Sequence, residues 1–283
     1  MVLESLISPF SAERKPWELF FLGALYASIA IFISIQIFES MAGLIAVFLT
    51  VMACLPLVYN SLKLEEQKDL LGFGEGRLLR EHGKMLTFLM MLFLGVVFAF
   101  TAWFTLLPSN LSSTLFEIQV NTIKNINSNA LLGHLSSLSL FSKIFLNNIK
   151  VLIFCILFSF FYGSGAIFIL SWNASVVAVA IGTFIKKNLI GLSASFSLQY
   201  VPTYASVVSV VFLRYLIHGI PEIAGYFIGG IAGGILSVAI IKHDFKTESF
   251  ERVVLDTADL MVIALIFLFV GALIEVFVTP VLF

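Results

Sequence analysis

Residues 17–62 read WELFFLGALYASIAIFISIQIF, then Glu39 and Ser40, then MAGLIAVFLTVMACLPLVYNSL. Each apolar run has 22 residues. At 1.5 Å per residue, each run forms a helix of about 33 Å, close to the hydrocarbon thickness of a bilayer. Because only two residues join the runs, the helices must turn back on each other as an antiparallel hairpin. This stretch therefore predicts two transmembrane helices near the start of the chain.

The rest of the sequence has the same apolar character. Of the 283 residues, 60% are hydrophobic and 12% are charged, against roughly 45–50% and about 25% in soluble domains. Only lipid accepts so much apolar surface on the outside of a protein as well as inside it. We therefore predict an all-α polytopic membrane protein in contact with the bilayer. The net charge of −1 gives no reason to expect a nucleic-acid partner.

About six to seven spans are predicted within one transmembrane domain, residues 1–283. The fourth apolar region has 36 residues, about 54 Å of helix, which is too long for one upright span. Gly163-Ser-Gly165 and Trp172-Asn173 are the two predicted breaks. We favour a span from Lys150 to about Trp172, then a shorter helix with Asn173 as its N-cap. The domain is predicted to consist of a hairpin (17–62), a cytoplasmic loop (63–84), an extracytoplasmic loop (108–149) and a helical core (150–283). Further spans are predicted at 84–107, 199–217, 221–241 and 253–278.

The distribution of basic residues predicts the orientation, because Lys and Arg accumulate in cytoplasmic loops. With a cytoplasmic N-terminus in the cell membrane, most of the 16 basic residues fall inside. For Lys186 and Lys242 to share that side, residues 188–241 must cross the membrane an even number of times, as two spans or as a re-entrant hairpin. The C-terminus is then extracytoplasmic. The residues predicted inside are Arg14, Lys15, Lys63, Lys68, Arg77, Arg80, Lys84, Lys186, Lys187, Lys242, Lys246 and Arg252.

A polar cluster interrupts the apolar pattern in the second half of the chain. Arg214, His218 and Glu222 are spaced i, i+4, i+8, so on one helix they would share a face. Pro221 lacks a backbone N–H and clashes with the preceding turn. We therefore expect a kink or break at 218–220, with Pro221 opening the next helix and Glu222 in its first turn.

Three interpretations of this cluster remain open. In the first, the cluster is a helix start whose Glu222 is stabilised by the helix dipole and by Arg214 or His218. In the second, it is a substrate-contacting or ion-conducting element at a broken helix. In the third, it is a metal or hydrolase site. We find no His-Glu-x-x-His, Walker, Gly-x-Ser-x-Gly or Cys-x-x-Cys motif. We therefore expect no cofactor, no metal and no catalytic residues. Glu275 is assigned to the outer membrane interface, and Cys54 and Cys155 are expected to be buried apolar residues.

Small residues recur every four positions in the predicted sixth span. Gly225, Gly229 and Gly233 form a small-xxx-small stripe, which allows two helix backbones to approach closely. The stripe indicates helix packing and no chemistry. The partner helix belongs either to the same chain, to a second copy or to another membrane protein.

Two stretches resemble the stage II sporulation protein M family. Asn147 and Asn148 precede an apolar run that contains Gly163-Ser-Gly165 and ends near Trp172-Asn173. Members of that family similarly show an Asn pair before a span, Gly-x-Gly within it and an Asn near its end. Many members have Asn-Gly at that last position, where this chain has Asn173-Ala174.

The second stretch is His218-Gly-Ile-Pro221-Glu222, which resembles the His-Gly-x-x-Glu signature of the family and is followed by a Gly-rich span. The resemblance covers about residues 85–283. It implies a membrane scaffold or complex subunit, as the sporulation member is a scaffold that holds peptidoglycan-remodelling enzymes. The alternative is a transporter or channel with a cavity lined by Arg214, His218, Glu222, Asn147, Asn148 and Asn173. An intramembrane enzyme fits the sequence least well.

Overall fold

In the computed structural model the described residues are 15–38, 41–70, 75–131, 137–162, 165–189, 201–241 and 248–282. They are almost entirely helical, as the composition predicts. The helices are α1 (Pro16–Ile37), α2 (Ala42–Leu70), α3 (Glu75–Leu106), α4 (Ser109–Leu115), α5 (Glu117–Leu131), α6 (Ser137–Tyr162), α7 (Ala166–Leu189), α8 (Val201–Ile241), α9 (Glu248–Leu273), a π-helical turn (Ile274–Val278) and α10 (Thr279–Leu282).

Within the described part of the chain, seven helices are long and apolar enough to cross a membrane. They are α1, α2, α3, α6, α7, α8 and the stretch from α9 to α10. Large apolar side chains face outward on these helices, such as Phe21 and Phe161, which are 62% and 69% exposed. An outer surface of this kind is stable in lipid and unfavourable in water. The chain is therefore an all-α, multi-pass membrane protein.

Close backbone contacts hold the first and third spans together. A Cβ on Gly23 would meet the carbonyl oxygen of Leu92, and a Cβ on Gly95 would meet that of Phe20. The indole Nε1 of Trp103 donates a hydrogen bond to Ser28 Oγ at 3.0 Å. These contacts place α1 and α3 side by side and parallel, which is how the first and third members of an up-down bundle must run.

Successive spans alternate in direction, so the bundle has two ends. We call the end where α1 begins the N-side and the end where α9 finishes the C-side. The ammonium of Lys186, in the last turn of α7, donates to Ser112 Oγ at 3.2 Å, just beyond α3. The end of α7 therefore lies beside the end of α3, on the C-side. An odd number of spans puts the first and last described residues on opposite membrane faces.

The fourth apolar region forms two complete spans, so the predicted span from Lys150 to Trp172 with Asn173 as an N-cap is wrong. α6 and α7 meet in a turn at Gly165, where a Cβ would collide with the carbonyl of Phe158. One of the two predicted breaks includes this glycine; its neighbours 163 and 164 lie outside the described residues. Asn173 sits in the second turn of α7, because Ala166–Leu189 is long enough to span by itself.

The predicted break at 218–220 is also wrong. α8 runs without interruption for 41 residues, with Pro221 in its interior. A proline there removes one backbone hydrogen bond and costs about 3 kcal/mol relative to alanine. The packing of α8 against α6 and α9 offsets that cost. A local rule fails here because burial of a long apolar helix outweighs one unfavourable residue.

The continuous α8 changes the predicted topology. α8 is one helix over Val201–Ile241, not two spans or a re-entrant hairpin, and Lys186 and Lys187 lie on the C-side, opposite the start of α1. Arg14, Lys242 and Lys246 lie outside the described residues. The segments predicted as loops also contain helix: α2 and α3 extend through most of 63–84, and α4, α5 and the first half of α6 occupy most of 108–149.

Candidate functional site

A cavity of about 200 Å³ lies between α3, α6, α7 and α8. Its walls are mostly apolar, with Phe93 and Val97 on one side and Val176 and Ile181 on another. Polar side chains from three helices project into this apolar setting. They are Asn147 and Asn148 of α6, Asn173 of α7, and Tyr215, His218, Glu222 and Tyr226 of α8.

The central contact of the site joins two of the predicted residues across 74 positions in the sequence. Asn148 Nδ2 donates a hydrogen bond to Glu222 Oε1 at 2.6 Å. Asn148 is 6% exposed, whereas its neighbour Asn147 is exposed. Consecutive residues of a helix point about 100° apart, so one amide holds the carboxylate and the other reaches the edge of the cavity.

His218 contacts the end of the last span. Its Nδ1 lies 3.3 Å from Thr279 Oγ1, which also donates to the carbonyl oxygen of Ile274 at 3.1 Å. When the threonine hydroxyl donates to Ile274, its oxygen can accept a hydrogen bond from His218 Nδ1. The imidazole is therefore oriented by a residue outside the predicted cluster.

The π-helical turn at Ile274–Val278 brings a second carboxyl group to the site. Glu275 is partly buried, and its charge acts on Glu222. One turn earlier, a Cβ on Gly271 would lie 2.5 Å from Glu222 Cγ, so only a residue without a side chain lets α9 approach the carboxylate. Short π-helical turns are rare and occur often at functional sites.

Arg214 does not join the other members of its predicted face. Its guanidinium lies over the ring of Phe184, 5.5 Å from the ring centroid, and it is not among the residues that line the cavity. Four residues of an α-helix turn through about 400°, so a side chain at i+8 is displaced by about 80° from the one at i. The i, i+4, i+8 spacing therefore keeps His218 near Glu222 but rotates Arg214 away.

The glycine stripe of α8 packs against helices of the same chain. A Cβ on Gly225 would lie 3.0 Å from the carbonyl oxygen of Ala264 in α9. A Cβ on Gly229 would collide with Leu152, and one on Gly233 would lie 2.6 Å from the carbonyl oxygen of Ile156. The stripe is thus covered by α6 and α9, and it does not present a free surface to a second copy or to another protein.

Among the residues that the structure describes, no three His, Cys, Asp or Glu side chains come close enough to hold a metal ion. Cys54 and Cys155 are both buried and unpaired, as predicted for apolar core residues. The polar groups that do converge are one carboxylate, three amides, one imidazole and two phenols. Such a set can bind a small polar molecule or ion by hydrogen bonds and charge.

The comparisons with known proteins agree with the sequence resemblance. The family model described as Stage II sporulation protein M matches residues 85–280. The matched stretch includes every residue of the polar cluster and the glycine stripe. The comparison with curated proteins and the comparison with solved structures each found no match.

Proposed function

The chain belongs to the stage II sporulation protein M family, and from that premise we propose that it admits a small polar solute into the cavity between α3, α6, α7 and α8, as a transporter or channel does. The observation that carries this proposal is the meeting of Asn147, Asn148, Asn173, His218 and Glu222 around one space. A purely structural polar contact leaves no room for a solute, whereas these groups surround about 200 Å³.

The depth of the cavity supports the proposal. The 20 residues that separate Ala166 from Lys186 in α7 correspond to about 30 Å, the hydrocarbon thickness. Asn173 lies seven residues from Ala166, about 10 Å into that length. Ionisable and amide groups at such depth are costly, and they mark solute and ion pathways in many membrane proteins. Transporters commonly bind their substrates near the middle of the bilayer.

A polar stripe on α6 supports an entrance from the C-side. Lys143, Asn147 and Lys150 are exposed and spaced i, i+4, i+7, so they lie on one face of the helix. Lipid chains solvate such a face poorly, whereas water solvates it well. Asn147 belongs both to this stripe and to the cavity wall. We therefore place the mouth of the cavity along this face.

We further propose that the N-side faces the cytoplasm. The helices carry more cations on that side, and basic residues near short loops favour the cytoplasm. The first described residue is then cytoplasmic and the last is extracytoplasmic, so the mouth on α6 faces outward. The N-side residues are Lys15, Lys63, Lys68, Arg77, Arg80, Lys84 and Arg252, and the C-side residues are Lys124, Lys143, Lys186 and Lys187.

The scaffold role implied by the family resemblance is the alternative. It requires a surface for a partner, and the sequence offers two candidates, the glycine stripe and residues 108–149. The glycine stripe is covered within the chain. The other, residues 108–149, carries α4 and α5. Gln119 of α5 is buried against the bundle, where its Nε2 donates to Ser175 Oγ at 3.3 Å. α5 therefore packs on α7 through Gln119, and the outer face of α5 stays available to a partner.

Cysteine accessibility separates the two roles. In a chain without Cys54 and Cys155, a single cysteine is placed at Gly219, which lines the cavity. Reference cysteines replace Ala232, which is fully buried, and Leu213, which is 53% exposed on an apolar face. A charged thiol reagent needs water and a thiolate to react.

We expect rapid modification at residue 219 and protection at 213 and 232. The reagent is applied to each side of sealed membrane vesicles in turn, with the outward-facing side expected to react first. Protection of residue 219 from both sides would mean that the cavity is closed to water, and the solute-binding proposal would be wrong.

A further inference from the structure

We infer that the solute of this cavity is a cation that carries an ammonium group, bound with Glu222 as its counter-ion. This inference rests on the proposed solute-binding function and gives that function a substrate class. It is argued from the charge of the lining, from the unused hydrogen-bonding capacity of Glu222 and from the aromatic walls.

A negative charge in the lining can come from one residue. Glu222 is the one carboxylate among the lining residues, and no Lys or Arg belongs to the described lining. Glu275 is a second acidic residue on the adjoining π-helical turn, between Gly271 and Thr279, which lie against Glu222 and His218. A carboxylate deep in a bilayer is costly unless a cation or a hydrogen-bond donor compensates it. A bound cation would supply that compensation.

Glu222 has hydrogen-bonding capacity to spare. Its Oε1 accepts from Asn148, and among the described residues its Oε2 has no hydrogen-bond partner. An ionised carboxylate offers about four acceptor positions, of which this contact uses one. An ammonium group donates up to three hydrogen bonds and carries the complementary charge, so it matches both unmet requirements.

The walls and the volume favour an organic cation over a bare metal ion. The rings of Phe93, Tyr215 and Tyr226 line the cavity, and aromatic faces attract ammonium groups within about 6 Å. An apolar cavity of about 150 Å³ in another protein accommodates benzene. At about 200 Å³, this cavity therefore suits a compact amine or quaternary ammonium compound better than an ion that is a few ångströms across.

Other charged and titratable groups surround the cavity at its margins. His218 lines it beside Glu222, whereas Arg214 packs on Phe184 outside the lining. Lys143 and Lys150 lie on the exposed face of α6, near the proposed mouth. Their repulsion of an entering cation is weakened by water and salt, because the Debye length is about 8 Å at physiological ionic strength. Glu222 acts from within the cavity, where screening is weaker.

The test uses two thiol reagents that share one reactive group. Cysteine at position 219 is modified with a trimethylammonium-ethyl methanethiosulfonate and with its sulfonatoethyl counterpart. We expect the cationic reagent to react at least about tenfold faster at this position, after correction for their rates with a free thiol. Tetramethylammonium should slow the reaction, and the neutral alcohol of the same shape, neopentyl alcohol, should not.

Two variants in the same cysteine background act as opposite controls. Glu222→Gln should reduce the preference for the cationic reagent to about threefold or less, whereas Lys150→Gln should leave or increase it. If Glu222→Gln fails to insert in the membrane, the parent cysteine protein still tests the inference, through the ratio of its two rates and through the tetramethylammonium competition.

The outcomes separate this inference from the function on which it rests. Equal rates for the two reagents, or a faster anionic reagent, would show an aqueous cavity without cation selectivity, so the proposed function would stand and the ammonium inference would be wrong. No reaction with either reagent would overturn both. A cationic preference that tetramethylammonium does not reduce would also overturn the inference, because it would show an electrostatic field without a binding site.

Discussion

The two halves of α8 differ in what they contact. From Gly225 to Gly234 the helix is buried on every side and touches the backbones of α6 and α9. From Tyr215 to Glu222 the same helix borders a cavity, and a Cβ added to Gly219 would meet no atom within 4 Å. The glycine-rich half is packed without space for a solute, and the polar half leaves that space open.

The difference shows how one continuous helix can serve both packing and binding. Glycine allows close approach at Gly233 because the facing backbone fills the position of a side chain. At Gly219 the missing side chain leaves volume instead. The tightly packed half fixes the position of α8 against its neighbours, so the polar half can keep a cavity beside it without collapsing. Four substitutions test this comparison, in decreasing order of expected effect on stability.

The largest effect is expected for Gly233→Leu. Its Cβ would lie 2.6 Å from the carbonyl oxygen of Ile156 and 3.2 Å from Ser159 Cβ. Overpacking of this kind costs about 3 kcal/mol or more. Thermal unfolding in detergent should show a markedly lower Tm than the parent protein. Gly83→Leu is the matched control, because Gly83 is exposed and has nothing near its Cβ position. Equal Tm values for the two variants would mean that the stripe is not tightly packed.

Asn148→Ala should have the next largest effect. It leaves Glu222 Oε1 without its donor in a buried setting, which costs about 1–3 kcal/mol. The neighbouring Asn147→Ala removes an exposed amide and should change the free energy of unfolding by less than about 0.5 kcal/mol. Both are measured by thermal unfolding of the purified proteins. A loss of stability in Asn147→Ala equal to that in Asn148→Ala would contradict the assigned hydrogen bond.

Gly271→Ala acts on the carboxylate from α9 without altering a polar group. The added methyl would lie 2.5 Å from Glu222 Cγ, so the side chain or the helix must move. We expect a loss of about 1 kcal/mol in stability. The preference for the cationic reagent at position 219 should fall at the same time, because Glu222 is displaced. Unchanged selectivity would show that the position of Glu222 does not control the binding site.

Gly219→Ala should have the smallest effect and the opposite sign. Its backbone is helical and its Cβ has room, so the alanine restricts the unfolded chain and stabilises the protein by about 0.4–1 kcal/mol. The same change at Gly233 should destabilise. A loss of stability at Gly219 would mean that the space beside it closes in the membrane, and the contrast between the two halves of α8 would disappear.

Periodicity and composition predicted most of the architecture. The apolar runs identified the spans at 17–38, 41–62 and 84–107, because lipid imposes a minimum length on every crossing. Gly163-Ser-Gly165 was one of two predicted breaks, and the structure has its turn at Gly165. The second predicted break, at Asn173, is absent, since residues on either side of it already complete one span. An asparagine inside a membrane helix resembles an N-cap in sequence but can equally face a cavity.

The site was only partly predictable. Asn148 and Glu222 were named from the sequence, but their contact joins α6 to α8 and depends on packing that no local pattern contains. Arg214 was predicted on the wrong face because each step of four residues turns the helix about 40° beyond one full turn. Over the two steps from Arg214 to Glu222, this adds up to about 80°. Glu275 was assigned to the interface because it lies near the outer end of the last predicted span. The signal that could have identified it is an acidic residue within an otherwise apolar run, which is costly in lipid.

The π-helical turn also has a consequence for chain length. The backbone N–H of Thr279 donates to the carbonyl oxygen of Ile274, five residues earlier, so the last span holds the equivalent of a one-residue insertion. Deleting Val278, which is exposed, would restore ordinary α-helical register and rotate everything after it by about 100°. Thr279 would then leave His218. Natural relatives with a gap at this position must therefore orient the equivalent imidazole by another residue.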